Sequence, residues 1–256
     1  RQWQRITIAV LILALAALIT NWPLTARQPQ AFSYTNHAVA LADLGRHDEA
    51  LSELHQALTL APNDVDAHLI AGSVLLDVGE YEHAGQHYYT ASQGDPDYPG
   101  AYRGMGDALM GLNRFAEAAE QYERALQIDA DDYISLNCLA TAHARRGHFQ
   151  EALQLFARVL TIAPQYPEAH LNIGNTYLSV NQLDQAAAAY EAALHLRPDY
   201  PDALHNLGIV EASRGNWQRA IECFNRVLEL DAQHESARQN LALAQQQLNQ
   251  STQPAP

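Results

Sequence analysis

Residues 163–200 read APQYPEAHLNIGNTYLSVNQLDQAAAAYEAALHLRPDY, a stretch that opens and closes on one kind of tetrapeptide, Ala163-Pro164-Gln165-Tyr166 and Arg197-Pro198-Asp199-Tyr200. The two prolines are 34 residues apart. Toward the N-terminus, Pro96 in Asp95-Pro96-Asp97-Tyr98 lies 68 residues before Pro164, and Pro62 in Ala61-Pro62-Asn63-Asp64 another 34 earlier. The missing member falls at Ala130, inside Asp129-Ala130-Asp131-Asp132. A fixed period of this length marks stacked supersecondary units. It divides 204 of the 256 residues into six units without insertion: 31–64, 65–98, 99–132, 133–166, 167–200 and 201–234.

The same places recur in every unit. The eighth is small (Ala38, Gly72, Gly106, Ala140, Gly174, Gly208), the twentieth is always Ala (Ala50, Ala84, Ala118, Ala152, Ala186, Ala220), and the twenty-fourth is large (Leu54, Tyr88, Tyr122, Phe156, Tyr190, Phe224). Small residues let two antiparallel helices approach, and large ones fill the space beside them. Gly45, Gly79, Asn113, Gly147, Asn181 and Gly215 stand where the first helix of each pair must end, a place that needs a left-handed backbone. The proline tetrapeptides end the second helix. This pattern resembles the tetratricopeptide repeat (TPR). The resemblance implies an all-α fold: a right-handed TPR superhelix, an α-solenoid of six helix-turn-helix repeats over residues 31–234. Ala237, Leu241 and Leu248, with Gln239, Gln245, Gln246 and Gln247 between them, read as a capping helix over 235–250, with 251–256 as a frayed tail.

Residues 1–30 carry a different signal. Residues 6–19 hold no charge, and the 20 residues from Trp3 to Trp22 are long enough as a helix to cross a hydrocarbon core of about 30 Å. Trp3 and Trp22 would sit at the interfaces, Pro23 would end the helix, and residues 23–30 would connect it to the repeats. A retained anchor and a cleaved signal peptide are the two readings. Leu24-Thr25-Ala26 puts Leu where cleavage needs a small residue, which favours the anchor. Arg1 and Arg5 precede the span and Arg27 follows it, so the expectation is one transmembrane helix in the cell inner membrane, N-terminus cytoplasmic and repeats periplasmic. The free thiols of Cys138 and Cys223 argue in a minor way for the opposite topology.

Net charge narrows the function. With 15 Lys+Arg against 29 Asp+Glu, the formal charge of −14 repels phosphate backbones, and nucleic acid is excluded as a partner. Neither Cys138 nor Cys223 belongs to a C-x-x-C pair, and their separation by more than two units excludes a disulfide. His83 and His87 stand at helical i, i+4 spacing, but no third ligand is evident and the pair is not H-E-x-x-H. His68 and His170 take a packing place and read as hydrogen-bonded core imidazoles. No nucleophile elbow, phosphate loop or dinucleotide fingerprint occurs. The expectation is a non-enzyme without metal or cofactor.

In TPR proteins the first helices of successive pairs line a concave groove that holds a peptide or helix of another protein. The resemblance therefore implies a scaffold or adaptor whose partner is a protein or an extended peptide segment. At the sixth place stand Asn172, Asn206 and, in the cap, Asn240. Amides so spaced can pair with a peptide backbone whatever its side chains, an arrangement similar to the asparagine ladder of the O-linked GlcNAc transferase superhelix. Arg103, Asn137 and His205 at the fifth place, Asn175 at the ninth, Arg145 at the thirteenth, and Tyr166 and Tyr200 at unit ends complete the candidate groove residues. The second places hold no cation, which rejects a carboxylate-clamp partner. Envelope assembly or secretion is the expected context, with a regulatory or substrate-recruiting subunit of a separate enzyme as the alternative.

Overall fold

A computed structural model describes residues 29–252. The candidate membrane span at 3–22 and the end of the tail lie outside the described residues. Among those described, no helix is long and apolar enough to cross a membrane. The chain runs through α1 (29–43), α2 (His47–Leu60), α3 (Val65–Asp77), α4 (Tyr81–Gly94), α5 (Pro99–Gly111), α6 (Phe115–Ile128), α7 (Tyr133–Arg145), α8 (Phe149–Ile162), α9 (Pro167–Ser179), α10 (Leu183–Leu196), α11 (Pro201–Ser213), α12 (Trp217–Leu230) and α13 (Glu235–Thr252), with no strand among the described residues. Residues 29 and 30, ahead of the first repeat boundary, are already helical, and α13 continues two residues past 250.

The helices fall into two compact units, 29–130 and 131–252. In the first, α2 to α5 each pack on the next helix along and α5 on α6, and the alternate helices α3 and α5 also touch. The second unit repeats this from α7 to α13, with alternate contacts α7–α9, α9–α11 and α11–α13. Each unit is therefore a helical solenoid: a pair of helices cannot bury its apolar face alone and does so against the next pair.

Two turns generate the stack. Between the helices of a pair, Gly45, Gly79, Gly147 and Gly215 take φ of +71 to +82°, and Asn113 and Asn181 take +59° and +57°. The residue after each donates its N–H back to a carbonyl five residues earlier, as His148 to His143 at 2.9 Å and Asn216 to Glu211 at 2.8 Å. That bond satisfies a carbonyl the helix end leaves open. Between pairs, two devices start the first helix. Asp64 and Asp132 accept backbone N–H bonds as N-caps, whereas α5, α9 and α11 begin on Pro99, Pro167 and Pro201, where no N–H is needed.

The places of the sequence become contacts. All six twentieth-place alanines are fully buried, and the large twenty-fourth residues are at most 7 % exposed. A Cβ on Gly72 would lie 2.7 Å from the ring of Tyr88, and one on Gly208 would lie 2.6 Å from Phe224. Gly106 and Gly174 face Tyr122 and Tyr190 still more closely. The buried phenols also need hydrogen bonds. Tyr122 donates to Asp107 Oδ1 at 2.7 Å and Tyr190 to Asn175 Oδ1 at 2.8 Å, while a bond to Ser73 serves Tyr88. Asp107, Asn175 and Ser73 all occupy the ninth place of their unit. Burial pushes the Tyr88 hydroxyl up to about 12.

Candidate functional site

The amides expected to form a ladder, Asn172, Asn206 and Asn240, stand in the second unit on α9, α11 and α13. Asn172 donates from Nδ2 to Asn137 Oδ1 (3.2 Å), Asn206 to Asn175 Oδ1 (2.9 Å), and Asn240 to His205 Nε2 (3.2 Å). Each sixth-place amide is half-buried and bonds to the preceding first helix. Their first role is thus to pin successive helix pairs in register. Asn137 is 7 % exposed and serves chiefly that role.

Between α7 and α9, Asn172 and Asn175 line a hollow of about 300 Å³, together with Thr141, Ala144, Arg145, Thr176 and Ser179 over the ring of Phe156, whereas Asn137, Asn206 and Asn240 do not reach it. The hydroxyls of Thr141, Thr176 and Ser179 bond back to the carbonyls of Asn137, Asn172 and Asn175, so they narrow the walls without breaking the helices. The structure thereby brings Arg145, Asn172 and Asn175 together. A guanidinium beside two amides offers donors and acceptors to a peptide backbone and a cation to an acidic group. The three hydroxyl residues escaped the sequence reading, although their polarity on an otherwise packed helix was the available signal.

Other expected residues are placed elsewhere. Arg103 belongs to the first unit, where its charge acts on the Tyr88 phenol. Tyr166 is the N-cap of α9 and packs edge-on to Tyr133 with centroids 5.1 Å apart; burial, then Glu168, pushes its hydroxyl up to about 12. Tyr200 is 9 % exposed in the core with Tyr190, Ala203 and Leu207, under the Arg197 guanidinium at 4.5 Å. Neither tyrosine lines the α7–α9 hollow, and Tyr200 is a packing residue instead of a groove residue, because a ring at the joint between pairs is covered by both. His205 keeps its place beside Asn240 but also lies 5.0 Å from His234, and burial, then that neighbour, lowers its pKa.

The histidine and cysteine expectations also shift. His87 turns away from His83 to His68, with Nδ1 to Nδ1 at 2.9 Å, while His83 faces Glu80 at 3.3 Å. The Pro62 carbonyl can only accept, so His68 Nε2 carries the proton and its Nδ1 accepts from His87. His68 and His170 are half-buried and not core, as are both free cysteines, Cys138 and Cys223. Burial pushes the Cys223 thiol up to about 11 and leaves it unreactive. Sequence reasoning missed Glu211, a fully buried carboxylate held by Asn216 Nδ2 at 2.6 Å, Arg214 at 3.1 Å and Arg219 at 3.3 Å.

A profile of the tetratricopeptide repeat matches residues 35–99, 103–167 and 171–235. No curated protein matches in sequence. Among solved structures, a tetramer described as APC/C Cut9–Hcn1 is similar at TM-score 0.75 and 20 % identity, covering 89 % of this chain and 45 % of that one. The chain thus spans less than half of that protein's length. PilW, described as a type IV pilus biogenesis factor, is similar at TM-score 0.73 and 22 % identity over 82 % of this chain and 98 % of its own. PilF of Pseudomonas aeruginosa gives 0.66 and 16 % over 85 % and 99 %.

Proposed function

The chain belongs to the tetratricopeptide repeat family, and from that premise we propose that it is a non-enzymatic scaffold that holds an extended segment of another protein along its first helices. The observation that carries this reading is the hollow where Arg145, Asn172 and Asn175 converge between α7 and α9. Asn172 spends one N–H on Asn137, and its carbonyl oxygen and second N–H have no bonded partner among the described residues. A backbone laid across the helices takes both, and an acidic side chain of the same segment reaches Arg145.

The finer reading places this scaffold at the cell inner membrane, anchored by residues 3–22 with its N-terminus in the cytoplasm and its repeats in the periplasm, in the assembly of an envelope structure. What supports it is the apolar run with flanking arginines and a fold shared with a pilus biogenesis factor. A photo-crosslinking residue at Ser179, on the rim of the hollow, is expected to trap the partner in detergent-extracted membranes, and one at exposed Gln154 on α8 is not. Equal trapping at both positions would overturn the groove reading. An active enzyme as the trapped species would favour a recruiting subunit over an assembly factor.

A further inference from the structure

A second and larger hollow, about 750 Å³, lies in the first unit, walled by α4 and α6 with α5 as its floor. Its lining joins the rings of Tyr81, Tyr89 and Tyr102 to Met105 and Leu109, with Arg124 at one side. The repeat pattern explains why space exists here. At the twenty-eighth place five units carry Leu (Leu58, Leu126, Leu160, Leu194, Leu228), and the second carries Ser92. Seven residues earlier on the same helical face, at the twenty-first place, the second unit carries Gly85, while the others carry Leu, Ala or Ile.

Gly85 is the informative residue. Every other helical glycine has a side chain where its Cβ would stand, as Gly72 and Gly104 have the Tyr88 ring and Gly111 has Tyr81. A Cβ on Gly85 would meet only Ala108, at an ordinary 3.7 Å. Glycine inside a helix is destabilising relative to alanine, and nothing in the packing requires it at this position. Its effect is to keep the hollow open.

The walls define a chemistry. Tyr89 is 58 % exposed, and Arg124 lies 5.3 Å above the Tyr102 ring with no carboxylate partner among the described residues. At the other end Arg114 is already held by Glu117 at 2.7 Å. Gln86, Gln93 and Gln121 on the two walls supply amides that suit a passing peptide backbone. We propose that this hollow is a second docking site, distinct from the α7–α9 groove, for a protein segment that inserts a bulky aromatic side chain among the tyrosines. An adjacent acidic side chain of that segment pairs with Arg124.

Three peptides test it against the full chain by amide chemical-shift titration: acetyl-Gly-Trp-Asp-Gly-amide, the same with Lys for Asp, and the same with Ala for Trp. The Trp-Asp peptide is expected to shift residues of α4 and α6 and to bind at least tenfold more tightly than the other two. Ser92→Leu, which restores the residue of the other five units, is expected to abolish this binding without lowering the unfolding midpoint; Gly85→Leu serves as an independent plug should Ser92→Leu misfold. Arg124→Gln is expected to reduce Trp-Asp binding to the level of Trp-Lys and to leave Trp-Lys unchanged. Equal binding of the Asp and Lys peptides, undiminished binding to both plugged variants, or no binding of the Trp-Asp peptide overturns the proposal. So does N-acetyl-tryptophan binding as tightly as the peptide, which would make this a small-acid site. Trapping at Ser179 is read in the other unit, so failure of either site leaves the other standing.

Discussion

Asn175 Oδ1 accepts two bonds, one from the Tyr190 hydroxyl and one from Asn206 Nδ2 on the next first helix. Intra-pair packing and inter-pair register thus meet at one atom. Tyr190→Phe removes the first bond and leaves the ring against Gly174, so the expected cost is about 1 kcal/mol, measured by urea unfolding. A larger loss would show that the hydroxyl also orients the amide for Asn206. A pattern behind this bond is visible in the sequence: where the twenty-fourth place is Tyr, the ninth holds Ser73, Asp107 or Asn175, and where it is Leu54 or Phe224 the ninth is Val39 or Ile209; Thr141, paired with Phe156, is the exception and bonds back to the Asn137 carbonyl. Glu211 shows the opposite limit. In a chain with 29 acidic residues a helical Glu reads as solvated, and only packing reveals that Asn216, Arg214 and Arg219 enclose it.

At the scale of elements, the turns were the most legible part, because a left-handed residue is a local requirement. Gly147 sits at φ +82° with nothing within 4 Å of its Cβ position, so Gly147→Ala is strained by its backbone and not by collision. The expected loss is about 1–2 kcal/mol in thermal unfolding, and Gly147→Asn should recover part of it, as Asn113 and Asn181 fill the same turn. The last helix is held differently. His205 Nε2 accepts from Asn240, and the N-cap His234 Nδ1 accepts the Ala237 N–H at 3.2 Å. Burial and His234 lower the His205 pKa from 6.5, against the smaller opposing effects of Asp202 and Asn206. The folded state then binds fewer protons than the unfolded one, so this contribution is present above about pH 6.5 and is lost as pH falls below it. Amide exchange in α13 is expected to quicken between pH 7 and pH 5 after correction for intrinsic rates, and His205→Asn should flatten that dependence. None of this was legible in the sequence, since the pairs join residues 29 and 35 apart that only stacking brings together.

For the whole molecule, a solenoid must end on a face that water tolerates. α13 lays Ala237 against Leu204 and Val227, and Leu241 and Ala244 against Ala220, Phe224 and Trp217, while its outer face is polar. Removing residues 235–252 exposes that apolar surface. The expected outcome is faster hydrogen exchange throughout α11 and α12 together with concentration-dependent association in sedimentation, whereas α7 and α8 keep most of their protection, because stability passes between neighbours. The period of 34 announced this architecture, and the capping helix was readable from its one-sided apolar pattern. Of the residues read from the sequence as a candidate groove, Arg145, Asn172 and Asn175 line one hollow, whereas Tyr200 is packed away and Arg103 lies in the other compact unit, placements that only stacking decides.

The bonds from Asn172 to Asn137 and from Asn240 to His205 each reach back 35 residues, one period plus one. A gene that lost the 34 codons for residues 167–200 would bring Asn206 to the position Asn172 now holds, facing the same Asn137 oxygen. Whole modules can therefore be deleted or duplicated during evolution without inventing a new joint, and the span of ligand such a protein measures can change in steps of one module while its register mechanism is inherited intact.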